Sequence, residues 1–122
     1  MNTSENINEL AQALAKAQGE ITGALKDSAN PFFKSKYADL ASCWDACRAA
    51  LSKNGLAVTQ FPTTDPTGTY LVTSLLHSSG QWMRSSLLVQ PKDDTPQAMG
   101  SALTYARRYA LTAIVGVAQV DD

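Results

Sequence analysis

The chain has 122 residues, 44% of them hydrophobic and 17% charged, the proportions of one ordinary globular domain that needs no disulfide or metal staple. Ten Lys and Arg oppose eleven Asp and Glu, a net charge of −1 that speaks against a uniformly basic polyanion binder. No apolar run approaches the ~20 residues of a membrane span, and the polar N-terminus lacks a basic-then-apolar secretion signal, so a cytoplasmic protein without a membrane partner is expected.

Apolar residues recur at helical spacing in Ile7, Leu10, Leu14, Ile21 and Leu25. They predict a helix over about residues 6–26, with Asn6 and Glu9 placed for a capping box. Gly19 and Gly23 weaken its second half by ~1 kcal/mol each. Asn30-Pro31 breaks the pattern, and residues 27–38 read as a loop that carries Phe32, Phe33 and Tyr37 around Lys34 and Lys36. Asp39 caps a second helix over 39–54, whose apolar positions are Leu40, Cys43, Trp44, Cys47 and Leu51. Asn54-Gly55 closes it.

Three strand-like runs follow: 56–61, stopped by Pro62; 70–77; and 81–90, stopped by Pro91. The intervening segments, Thr64 to Gly68 and Ser78 to Gly80, have turn composition, which predicts a three-stranded antiparallel meander. Thr95-Pro96 opens a last helix over 96–114, with Met99, Leu103, Ala106, Ala110 and Ala113 on one face. The fold class is therefore α+β: a single domain over 1–122 in which two helices precede a meander that is packed against helices.

Catalytic chemistry finds little support. There is no Ser-His-Asp signature, phosphate loop or histidine-rich metal motif, so the chain is not read as an enzyme. The single histidine, His77, ends a strand. Cys43 and Cys47 share a helix face and read as reduced core thiols, with a metal pair the lesser option. The acidic pairs Asp93-Asp94 and Asp121-Asp122 read as solvated carboxylates. An Mg²⁺ ion, or a metal-dependent nuclease, is compatible with them, but no cofactor is required.

The basic and aromatic residues are more informative. Local patches, not totals, attract phosphate, and Glu5, Glu9, Asp93, Asp121 and Asp122 lie towards the termini or in a loop. Lys34 and Lys36 would sit ~7 Å apart on one side of an extended loop. Aromatics beside cations suit single-stranded nucleic acid, because every base has a face to stack on. The alternatives are that Phe32 and Phe33 pin the loop to the sheet and that the lysines are merely solvated. On a helical wheel Arg108 points away from the apolar stripe, beside Ser101, Tyr105 and Thr112, and Arg107 falls on the flank. Trp82, Arg84 and Ser86 share one face of the third strand; Met83, Ser85 and Leu87 share the other. Trp82 packed on a helix, with Arg84 at a sheet edge, is an equal alternative.

At this point the chain resembles the ERF (essential recombination function) family of phage single-strand DNA annealing proteins. The resemblance rests on Asn30-Pro31-Phe32-Phe33-Lys34-Ser35-Lys36-Tyr37-Ala38-Asp39-Leu40, on Leu76-His77-Ser78-Ser79-Gly80, and above all on Pro96 to Leu111 with its Gly100-Ser101-Ala102-Leu103-Thr104-Tyr105-Ala106-Arg107-Arg108-Tyr109 core. It implies a β-β-β-α core similar to that of the eukaryotic annealing rings, and ATP-independent annealing in the bacterial host cytoplasm during phage recombination. It also implies homo-oligomeric rings or filaments on single strands. Family chains usually continue into a variable tail, so this chain resembles a core or a short member, and host single-strand binding protein is an expected partner only through such a tail. The expected DNA-binding residues are Lys34, Lys36, Arg84, Arg107 and Arg108, with Phe32, Phe33, Tyr37 and Tyr105; in each subunit's basic groove Lys34, Lys36, Arg84 and one of the two helix arginines hold phosphates, and the arginine helix is shared with the subunit interface. A competing reading is an interaction or assembly module that has no DNA affinity of its own.

Overall fold

A computed structural model describes residues 2–21 and 39–117. The elements are α1 (Asn8–Glu20), α2 (Leu40–Lys53), β1 (Leu56–Asp65), β2 (Gly68–His77), β3 (Trp82–Val89) and α3 (Pro96–Val115). The fold is α+β, as expected: two helices, an antiparallel sheet in the order β1-β2-β3, and a closing helix.

Helix α1 departs from its sequence pattern at both ends. No capping box forms; the N-cap is Ile7, without a side-chain cap. Instead the Gln81 side-chain oxygen accepts the N–H groups of Glu9 and Leu10, both at 2.9 Å. Gln81 comes from the turn before β3, and such a long-range cap leaves no local signal. The helix stops at Glu20, and Ile21 is extended at φ −80°, ψ 117°. The end falls just after Gly19, a poor helix former. Residues 22–26 of the expected helix, and the whole expected loop, lie outside the described residues.

Helix α2 starts as the sequence suggests, with the Asp39 carboxylate accepting the Ser42 N–H at 2.8 Å. Its far end is clasped to α1. Glu20 accepts from the Lys53 ammonium at 2.6 Å and from the Asn54 amide at 2.7 Å. Cys43 and Cys47 are buried in the core, and burial pushes the Cys47 thiol up to about 11. A thiol held so high is inert at neutral pH.

Strand β1 runs past Pro62 to Asp65, beyond the predicted stop at residue 61. Proline is tolerated there because β1 is an edge strand, where a missing N–H can face outward. Asp65 pairs with Gly68 across the two-residue turn Pro66-Thr67, and the Asp65 carboxylate accepts the Thr67 N–H at 2.7 Å. On the opposite edge, the N-terminal segment adds a short rung to β3. Ser4 N–H donates to the Trp82 carbonyl at 2.8 Å, and Arg84 N–H donates to the Asn2 carbonyl at 2.7 Å.

Helix α3 begins at the Thr95 cap, whose hydroxyl accepts from Ala98 N–H, and ends at Gly116 in the left-handed region at φ 84°. Its buried side is Ala98, Ala106, Ala110, Leu111 and Val115. Ala113, expected on that side, is exposed. The stripe turns towards Leu111 and Val115, which reach the cluster shared with α1 and α2.

Two clusters form the core. The larger joins Leu10, Ala17, Cys43, Cys47, Leu51, Leu56 and Leu75 to Leu111 and Val115. The smaller sets Leu71 and Val89 against Ala106 and Ala110. Small alanines let α3 lie close on the sheet. By the strand register, every sheet residue in either cluster points to one face. The other face has no helix among the described residues.

Leu75 is fully buried in the larger cluster. Leu75→Ala should therefore lower unfolding free energy by about 2–5 kcal/mol, measured by urea denaturation. A pH effect follows from three carboxylates held below their ordinary range. The Lys53 and Asn54 side chains act on Glu20, the Thr67 hydroxyl and N–H on Asp65, and the Thr95 hydroxyl and N–H on Asp93. A lowered folded-state pKa stabilises above the unfolded value and is lost as pH falls through the folded one. The urea midpoint should hold from neutral pH to about pH 5 and decline below about pH 4.

Candidate nucleic-acid interface

The two arginines of α3 diverge, as their 100° separation on a helix requires. Arg107 lines a groove of about 510 Å³ between α2, β1 and α3, with Leu40, Trp44, Val58 and Gln60 among its walls. Gln60 secures this junction. Its amide donates to the Thr73 hydroxyl at 3.1 Å and to the Arg107 carbonyl at 3.0 Å. One side chain thus ties the edge strand, the central strand and the helix together.

Arg108 lies on the outer side of α3, but it does not project freely as the wheel suggested. It is half-buried, with its guanidinium carbon 5.2 Å from the Tyr105 ring and 5.1 Å from the Tyr109 ring. The rings are 58% and 51% exposed by residue, 6.4 Å apart and within 20° of parallel. The spacing explains the cluster, since residues three and four apart are neighbours on a helix. A guanidinium over an aromatic face is also attractive. The result is a flat, cationic, aromatic surface. Beside it a hollow of about 610 Å³ is lined by Tyr105, Lys92, Ser101 and Asp93, among others.

Arg84 does not join this set. Its register partner is Ser74, on the sheet face away from both core clusters. The guanidinium carbon sits 4.5 Å from the Trp82 ring, and Nε donates to the Ser74 hydroxyl at 2.9 Å. Trp82 shares that face, so it packs on none of the described helices. The expected groove holding Arg84 together with an α3 arginine is corrected: the sheet separates them. Lys34, Lys36, Phe32, Phe33 and Tyr37 lie outside the described residues. In sequence, their segment leads directly into Asp39 and Leu40, and Leu40 is a wall of the Arg107 groove.

Sequence reasoning missed Tyr109, Gln60 and Lys92. Tyr109 was within reach, because it stands four residues after Tyr105 and next to Arg108. Gln60 and Lys92 gain their places only through tertiary contact. Charge segregation was also legible: β2, β3 and α3 contain no Asp or Glu. Their cations are Arg84, Arg107 and Arg108.

The Gln60 junction yields a direct test. Thr73 is fully buried, so Gln60→Ala takes from its hydroxyl the hydrogen bond donated by the Gln60 amide. Unfolding free energy should drop by about 1–2 kcal/mol in a urea titration.

The sequence model of the ERF superfamily covers residues 10–122, from the first buried leucine of α1 onward. No curated protein matches the chain, and no solved structure matches it. With that match spanning most of its length, the chain belongs to the ERF superfamily.

Proposed function

We propose that this protein binds single-stranded DNA and anneals complementary strands without ATP, working as a homo-oligomer in phage recombination. One observation carries the reading. The helix that bears the family's most specific motif turns Arg107 into a groove and holds Arg108 against two exposed tyrosines. That pairing of cation with aromatic face suits a polymer whose backbone is anionic and whose bases are flat. Membership of the ERF superfamily supports it.

In this scheme phosphates are held by Arg107 and Arg108, joined by Lys34 and Lys36, which precede the groove residue Leu40 in sequence. The protein contributes charge and extension, and base pairing supplies the specificity. No nucleotide hydrolysis or metal takes part. A single groove with a few charges binds weakly at physiological salt, since each neutralised phosphate of a single strand adds a slope of only ~0.7. Repetition of the groove along an oligomer converts weak sites into tight binding.

Anisotropy of a labelled oligothymidine tests the reading. Binding should appear at low salt and fall steeply as salt rises. Salt-sensitive binding that is absent, with self-association intact, would instead favour an assembly module. In Lys34→Ala/Lys36→Ala the slope of log K against log salt should shrink by about 1.4, two phosphates' worth, while sedimentation shows the oligomer unchanged. An unaltered slope would remove that segment from the phosphate path.

A further inference from the structure

The sheet face that carries no helix among the described residues has an unusual composition. An antiparallel sheet with one face in water normally turns polar residues outward. Here Phe61 is 48% exposed and Leu88 is 43% exposed, with Tyr70 and Trp82 on the same face. Exposed apolar surface of this kind marks a contact.

The charge on the face selects the partner. Its four rows, from Trp82 to Leu88, hold one cation, Arg84, and no carboxylate. Asp65 lies beyond them at the hairpin tip and is turned onto Thr67. A second copy that laid its exposed α3 surface here would set Arg108 against Arg84, with no acid on either element. Two desolvated like charges disfavour that packing. A polymer carrying both flat apolar groups and anions has no such conflict.

We propose that this face is a second contact surface for single-stranded nucleic acid, with Arg84 as its phosphate and base contact and Phe61 and Tyr70 as stacking groups. It rests on the single-strand reading above and adds a site on the opposite side of the sheet from α3. Arg84 is built for the role. The Ser74 hydroxyl, itself 1% exposed, accepts from Nε, and the Trp82 ring backs the guanidinium plane. The terminal nitrogens and the outer face of the plane are left for a phosphate or a base. Successive rows on one face of a strand lie ~6.8 Å apart. That is twice the ~3.4 Å per nucleotide of a stacked strand, so the rows suit bases pulled apart from one another.

Photocross-linking of the whole protein to an oligonucleotide containing iododeoxyuridine, followed by peptide mapping, tests the site. Cross-links are expected at Phe61, Tyr70 or Trp82, in addition to α3. Phe61→Ala should weaken binding about tenfold, the scale of one lost stacking contact. Arg84→Ala should reduce the salt slope by about 0.7. Phe61 is half-exposed, so its variant should stay folded, which its melting curve checks. If the oligonucleotide binds but cross-links avoid the sheet and both variants bind normally, this inference fails and the proposed function stands. If no oligonucleotide binds at all, both fail. Loss of self-association by the variants in DNA-free sedimentation would make the face a contact between copies, which also overturns the inference.

Discussion

Two adjacent hydroxyls on the central strand anchor most of what matters in this protein. Thr73 and Ser74 are the buried polar residues of the described core, and they point to opposite faces of the sheet. A hydroxyl taken out of water costs stability unless it is hydrogen-bonded. Each is satisfied by a side chain from a neighbouring strand. Gln60 donates to Thr73 and also holds the Arg107 carbonyl; Arg84 donates to Ser74 and lies against Trp82. The need to pair two buried oxygens therefore fixes one basic position on each side of the sheet. Strand β2 can bury both sides under helices on only one, because its outer side is shielded by side chains from the flanking strands.

The rest of the architecture serves the same arrangement. Alanines at 106 and 110 bring α3 close over Leu71 and Val89, which leaves the tyrosines on its far side. Helices α1 and α2 close the other half of the core and are tied together through Glu20. The near-zero net charge conceals this layout. Acids gather in α1, α2, the turns and the ends, and the elements from β2 onward carry only cations. A protein can thus be neutral in sum and still offer an anionic polymer a favourable surface.

Much of the fold was legible in the sequence because its signals are local. Asp39, Asn54-Gly55 and Thr95-Pro96 mark helix ends through capping chemistry acting within three or four residues. Alternation in Trp82 to Leu87 placed Arg84 and Trp82 on one face correctly. What could not be read depends on tertiary partners. The cap of α1 is supplied by Gln81, more than seventy residues away in the chain. Pro62 looked like a strand stop, yet an edge strand accommodates it. The wheel placed Arg108 outward but could not show that two tyrosines would fold against it. A linear sequence does not reveal which sheet face a helix covers, so it groups Arg84 with an α3 arginine that the sheet in fact separates from it.

The central claim is that this fold brings complementary single strands together. Its most direct test is the rate of duplex formation between two complementary oligonucleotides with donor and acceptor dyes, followed without ATP in the presence of the protein. The rate should rise with protein concentration and fall as salt is added. Strands that are bound by the protein, yet pair no faster than in buffer alone, would contradict the claim.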